Sequence, residues 1–448
     1  MQKNYSLLTE RPGKALFVFA LPMILGNLFQ QFYNMTDSVI VGQFVGEEAL
    51  AAVGASFAFT TVFIMIAIGG GIGTSVLTSQ YLGAGKYQEM KTSASTSLLT
   101  FLAVSILLAL FGFFMNPRIL AALNTPENIF ADAVLYLQIY FIGLPFTFMY
   151  NVLAANFNAL GRSRIPLGLL IFSSLFNIVM DLVMVLVFRL GVAGVAIATV
   201  IAQGISAVIS YTILRRVLRG FDTGDAKIPV FDPEMMVKGI SIAIPSIVQQ
   251  SIVSIGMLLM QSAVNAFGSS ALAGYSAGAK VESLCVVPMI NTGNAVSTFT
   301  AQNLGAKQFD RVRAGLNAAY VQDIIYAAVL AVFCWFMAEP VMNLFLPAGS
   351  SAISIDTGIR YIRFIGFFYV IIGFKASTDG VLRGSGDGKV YMAANLINLA
   401  IRVIVARLLS PVYGIDFIWY AIPVGWMTNL VISRLWFQTG HWRKSLVS

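Results

Sequence analysis

The chain has 448 residues, a formal charge of +8, 58% hydrophobic residues and only 11% charged ones, with a mean hydropathy of +0.81. A soluble chain of this length carries about a quarter charged residues, so the composition excludes a cytosolic globular protein and indicates an integral membrane protein. The only histidine, His441, lies in the tail, and no Walker motif is present. That leaves no ligand set for zinc or haem, no Ser/His/Asp constellation and no ATP-driven motor in this chain, so no enzyme and no cofactor are expected.

Apolar runs long enough to cross a bilayer predict spans near 15–40, 52–80, 93–115, 130–158, 166–188 and 192–214. A second set follows near 238–264, 272–300, 316–338, 359–381, 390–410 and 417–437. The stretch before the first span is polar, and that span is long enough to stay in the membrane, so no cleavable leader is expected. Between the sets lies the longest hydrophilic connection, with Pro229, Pro233, Gly220 and Gly224, which reads as a linker. The expected organisation is an amino-terminal lobe over 1–214, a linker over 215–237 and a carboxy-terminal lobe over 238–448. The fold class is all-α, with twelve transmembrane helices in two six-helix lobes.

The two sets are copies. Gly46 with Ala49-Leu50-Ala51 returns as Gly268 with Ala271-Leu272-Ala273, an offset of 222. Gln80 with Leu82-Gly83-Ala84 returns as Gln302 with Leu304-Gly305-Ala306 at the same offset, and the prolines that open the halves, Pro22 and Pro245, are 223 apart. A period this long marks a duplicated half-protein rather than a solenoid unit. Six spans per half give both halves one orientation, a parallel repeat, and duplicated halves in a hydrophobic chain are the usual build of a secondary transporter.

Charge placement supplies the topology. Twenty of the 28 Lys and Arg, including Arg11, Lys91, Arg215, Arg216, Lys307 and Arg443, fall on one side. Five fall on the other, and Lys280, Lys375 and Arg402 lie inside spans. This bias predicts that both termini and the linker are cytoplasmic. The basic balance therefore reports topology, and no nucleic-acid partner is expected. The expected partners are the bilayer and a small-molecule substrate, with the chain acting as a monomer.

Ionisable groups inside a bilayer are costly and functional by default. In the first half these are Asp37, in YNMTDSVIVG, and Asp181, in FNIVMDLVMVLVF. Asn177 shares a helix face with Asp181, and Thr199 lies on the next span at similar depth, roughly 8–12 Å below the outer surface at 1.5 Å per residue. Two carboxylates, an amide oxygen and a hydroxyl make an oxygen-only set suited to a hard cation or a shared proton. The second half carries Lys280, Glu282, Lys375 and Arg402, either a charged substrate pocket or a set of internal ion pairs. Tyr33, Met35, Gln249, Gln250, Met257 and Met260, with Glu282 and Lys375, are candidates for an adaptable substrate cavity. Plain helix packing accounts equally for the methionines.

At these residues the chain resembles the multidrug and toxic compound extrusion (MATE) family. The resemblance rests on the duplicated halves, Leu21-Pro22, the run Gln31-Phe32-Tyr33-Asn34 to Asp37, and Ala49 to Gly54. It rests also on Gln302-Asn303-Leu304-Gly305-Ala306 and on Leu382-Arg383-Gly384 to Asp387-Gly388. It implies an amino-lobe cation site at Asp37, Asn177, Asp181 and Thr199. Branches of the family similar to NorM carry an acid on span 7 and another within span 10. Here span 7 has Gln249, Gln250 and Gln261 instead, and Asp379 lies at the inner end of span 10, so the pattern looks more like the DinF-like branch. The implied function is a proton- or sodium-coupled antiporter of the cytoplasmic membrane that exports organic, often cationic, compounds by alternating access. Pro22 serves as a hinge in span 1. Protons are favoured over sodium because two carboxylates in an apolar site cannot both ionise cheaply. The alternative within the superfamily is a lipid-linked saccharide flippase, which would have more than twelve spans and a cationic cavity.

Overall fold

The computed structural model describes residues 6–224, 227–347, 349–444 and 446–447. Those residues form helices and short connections, with no strand among them. In hydrocarbon every backbone N–H and C=O must be satisfied within its own segment, which the helix alone achieves for single runs of this kind.

The helices are α1 (Ser6–Thr9), α2 (Pro12–Ile40), α3 (Glu47–Gly83), α4 (Tyr87–Ala122), α5 (Glu127–Ala159), α6 (Arg164–Leu182) and α7 (Gly191–Arg219). After the linker come α8 (Pro233–Asn265), α9 (Ser269–Cys285), α10 (Val287–Gly305), α11 (Phe309–Phe345) and α12 (Ala352–Gly366). The last are α13 (Tyr369–Ser385), α14 (Gly388–Tyr413) and α15 (Asp416–Thr439). Short π-helical turns, Val41–Val45 and Val183–Val187, extend α2 and α6.

By length and hydropathy, nine of the described helices can cross a membrane, or ten when α12 and α13, bent by 53°, count as one broken span. This is fewer than the expected twelve. The expected span over 272–300 is divided into α9 and α10, which carry Lys280, Glu282, Asn291 and Thr292 and meet at Val286. The one over 417–437 is a continuous 24-residue helix, but Pro423, Asn429, Ser433 and Arg434 dilute its apolar content. Both segments are helical where spans were expected, and polarity keeps them below the hydropathy of a self-sufficient span.

The chain forms two compact units. The first holds Leu25–Leu82 and Lys86–Ile247; the second holds the described residues before Leu25, Gly83–Gly85 and the described residues from Val248 onward. The first unit packs α4 on α5, α5 on α7 and α6 on α7, around Phe63, Phe101, Phe141 and Phe148. The second packs α10 on α13, α14 on α15 and α9 on α12, around Tyr361, Tyr369, Trp419 and Trp426. The chain changes unit two residues after Pro22 and again two residues after Pro245. The amino-terminal part of α8 is held in the first unit by close backbone approach: a Cβ on Gly73 would lie 2.3 Å from the Ala243 Cα.

The repeated glycines have a conformational cause. Gly46 and Gly268 adopt φ +125° and +90°, a region that a side chain strains, at the turns that open α3 and α9.

Candidate functional site

Asp37 lies one turn before the π-helical turn that extends α2, and Asp181 lies two residues before the corresponding turn after α6. In each case an extra residue is accommodated by i→i−5 bonding: the Gly46 N–H donates to the Val41 carbonyl at 3.1 Å, and the Phe188 N–H to the Val183 carbonyl at 3.1 Å. The two turns pack on each other, over a small apolar cluster of Val41, Ala49, Val185, Val192 and Val195. Such turns re-aim the preceding side chains and recur at functional sites.

The result is one polar cluster inside the first unit. The Asp37 and Asp181 carboxyls are hydrogen-bond neighbours. Asp181 and Asn177 are 0% and 2% exposed. The Tyr33 hydroxyl donates to Asn177 Oδ1, and Asn177 Nδ2 donates to Asp181 Oδ1 at 3.4 Å. Thr199 donates to its own backbone at Val195 O, 3.1 Å away, and its oxygen also approaches the Tyr33 phenol. Asp37 Oδ1 and Asp181 Oδ2 are buried and meet no donor. A buried carboxylate oxygen without a donor is costly. Two of them side by side make a place that a proton or a small cation would fill.

Four of these residues are the ones sequence reasoning groups together, and Tyr33 joins them. Tyr33, expected in a substrate cavity, sits in the acid cluster as the donor that orients Asn177. Tyr136 of α5 was missed: it lies in the field of both acids and packs against the apolar cluster beneath them. Tyr136 and Tyr140 share a face at a spacing of four on an otherwise apolar span, and that was the available signal.

The other candidates are dispersed. Met35 is 57% exposed on α2, and Met260 is 1% exposed in the core of the second unit. Gln249 and Gln250 are half-buried on α8, and the Met257 side chain lies outside the described residues. Glu282 accepts from the Tyr361 hydroxyl and lies in the field of Arg402. Lys375 contacts Asp379 Oδ2 at 3.1 Å and Asn395 Oδ1 at 2.9 Å. Lys280 is exposed. Glu282 and Lys375 therefore have different hydrogen-bond and ionic partners. Asp323, in the middle of α11 and 0% exposed, was also overlooked. No group of three or more His, Cys, Asp and Glu among the described residues is placed to hold a metal ion.

The MatE family profile matches residues 22–183 and 245–408, one match in each half and most of the chain. The chain belongs to the MatE family. It is thus a multi-pass membrane transporter and not an enzyme. It is 28% identical over 443 residues to the probable multidrug resistance protein YpnP of Bacillus subtilis, covering 98% of both chains. It is 24% identical over 454 residues to the FAD transporter of Shewanella oneidensis, covering 96% of this chain and 95% of that one. Among solved structures, a MOP superfamily transporter from Pyrococcus furiosus superposes with a TM-score of 0.90 at 22% identity, covering 99% of this chain and 100% of that one.

Proposed function

We propose that this MatE protein is a cation-coupled antiporter that exports organic, often cationic, drugs or toxic compounds across the cytoplasmic membrane. The observation that carries this reading is the facing pair Asp37 and Asp181, with one donor-less oxygen on each. Loading that gap with a cation favours one arrangement of the protein, and binding of the organic solute favours the other. The two ligands then exchange through a shared conformational equilibrium. Pro22, and its repeat mate Pro245, lie beside the points where the chain changes unit. Each removes a helical hydrogen bond, which suits a hinge. The reading includes two six-helix lobes in parallel repeat and a DinF-like, amino-lobe coupling mode.

Protons are favoured over sodium as the coupling ion. Sodium needs several oxygens arranged in place of its hydration shell, whereas a proton shared by two carboxyls needs no such shell. The test is efflux of a fluorescent cationic dye from vesicles, first with a proton gradient and no sodium, then with sodium and the proton gradient collapsed. Efflux in the first condition alone is expected; efflux in the second alone would reassign the same residues to sodium. The Shewanella relative's substrate makes an anionic flavin dinucleotide the second reading, and counterflow of labelled FAD in the same vesicles discriminates it. A saccharide flippase is less favoured, because the in-span cation Lys375 is already paired with Asp379.

With both termini cytoplasmic, as the basic residues imply, a cysteine placed at Thr223 is expected to react only from the cytoplasmic side. Labelling of intact cells by an impermeant reagent would reverse the orientation.

A further inference from the structure

The second unit holds an acid that the coupling site does not use. Asp323 sits at the centre of the buried stripe of α11, one turn from Ala319 and one from Ala327. Ser377 of α13 donates to Asp323 Oδ2 at 2.7 Å, while Asp323 Oδ1 is buried with no donor. The carboxyl is seated on a glycine: a Cβ on Gly373 would lie 2.7 Å from the Asp323 Cβ and 3.2 Å from Oδ1. The groups that face it are Tyr320 and Tyr326 of its own helix, Ser377 of α13, and Thr292 of α10 beside Tyr326. Of the nearby cations, Lys375 pairs with Asp379, and Arg434 of α15 lies over the Tyr320 ring at 5.6 Å with its Nη1 buried and without a hydrogen-bond partner. The described residues give Asp323 no ion pair.

Helix packing does not require a carboxyl here. The buried positions of α4 and α11 coincide at the repeat offset of 222, as at Met90 and Val312, Ser97 and Ala319, and Leu120 and Met342. In that register Asp323 corresponds to Phe101, which is 3% exposed in the apolar core of the first unit. The same architecture therefore fills this position with a hydrocarbon in one half and an acid in the other. An ionised Asp323 in this packing would be an uncompensated charge in a dry site, whereas a proton on Oδ1 removes both the charge and the need for a donor.

We propose that Asp323 is a second proton-binding site, seated between α11 and α13 and distinct from the Asp37–Asp181 pair. A single carboxyl with one serine hydroxyl lacks the oxygens for a metal cation, which leaves the proton as its ligand. The proton is retained while α13 packs on α11 and released when that contact opens to water. The element that can open it is the broken span, whose 53° bend lies between α12 and α13, one turn before Gly373. Proton binding stands on the geometry of Asp323 alone; a part in transport rests on the antiporter reading.

The test is infrared spectroscopy of the purified full-length protein, following the C=O stretch of protonated carboxyls from acid to alkaline pH. A band present at neutral pH and lost at alkaline pH is expected. It should be absent from Asp323→Asn, shifted in frequency in Ser377→Ala, and retained when Asp37 and Asp181 are both changed to Asn. A spectrum unchanged by Asp323→Asn would overturn the proposal, as would an Asp323 band that persists at every pH. If Asp323→Asn does not fold, the Ser377→Ala frequency shift decides, since that variant keeps the carboxyl. Dye efflux by the unaltered protein that ignores both ion gradients would overturn the antiporter reading and leave the infrared result standing.

Discussion

The two halves descend from one plan, yet they treat the same internal positions in opposite ways. In the first half, Asn177 precedes Asp181 by four residues on α6; in the second, Asn398 precedes Arg402 by four on α14, at an offset of 221. The acid of one copy is a base in the other. Asp181 faces a second acid, Asp37, and the pair is left with unmatched oxygens. Arg402 lies in the field of Glu282 with its own Nε buried and unpartnered, whereas Asp379 of the second half is fully engaged by Lys375 at 3.1 Å, Asn395 at 3.2 Å and Ser433 at 2.7 Å. A like-charge pair responds to a cation; a satisfied ion pair holds helices in place. The two copies share a scaffold and differ in the sign of a few buried side chains.

Substitutions at three places would break or sharpen that contrast. The largest effect is expected from Asp37→Asn and Asp181→Asn, each reducing gradient-driven dye efflux to background at normal membrane abundance, because each removes a charge and almost no volume. Full transport by Asp181→Asn would end the amino-lobe assignment. Next, Lys375→Met leaves Asp379 a buried charge without its cation, and a loss of about 3–5 kcal/mol of stability is expected from breaking such a pair. Thermal unfolding in detergent measures it, and changing Asp379 to Leu in the same protein should recover most of the loss. A Lys375→Met protein as stable as the original would show that the network is not structural. The smallest effect is Tyr33→Phe, which removes one hydrogen bond to Asn177 worth about 1 kcal/mol. A shift of about fivefold in the ion concentration giving half-maximal efflux is expected, and Gln249→Ala, remote in chain and element, should change it less.

Much of the candidate amino-lobe site is legible because the bilayer leaves few reasons for a carboxyl inside an apolar run. Asp37 and Asp181 stand out on composition, and helical spacing attaches Asn177. The same rule applies to Asp323, which falls on the helical spacing of Leu316, Ala319 and Ala327. Tyr33 was legible as a residue and not as a partner. Its link to Asn177 joins positions 144 apart in the chain, and no local pattern encodes such a pairing.

Composition and periodicity by themselves determined the helical membrane class, the duplication and the positions of most spans, because the solvent imposes those features on every segment independently. The tertiary structure alone decided the rest. It divided the span over 272–300 at Val286, bent α12 against α13, and inserted π-helical turns after Asp37 and Asp181, features that arise from packing between helices rather than from any run's own hydropathy. It also decided which buried charges found partners. A carboxyl's chemistry depends on the groups within a few ångströms, and those come from helices far apart in sequence.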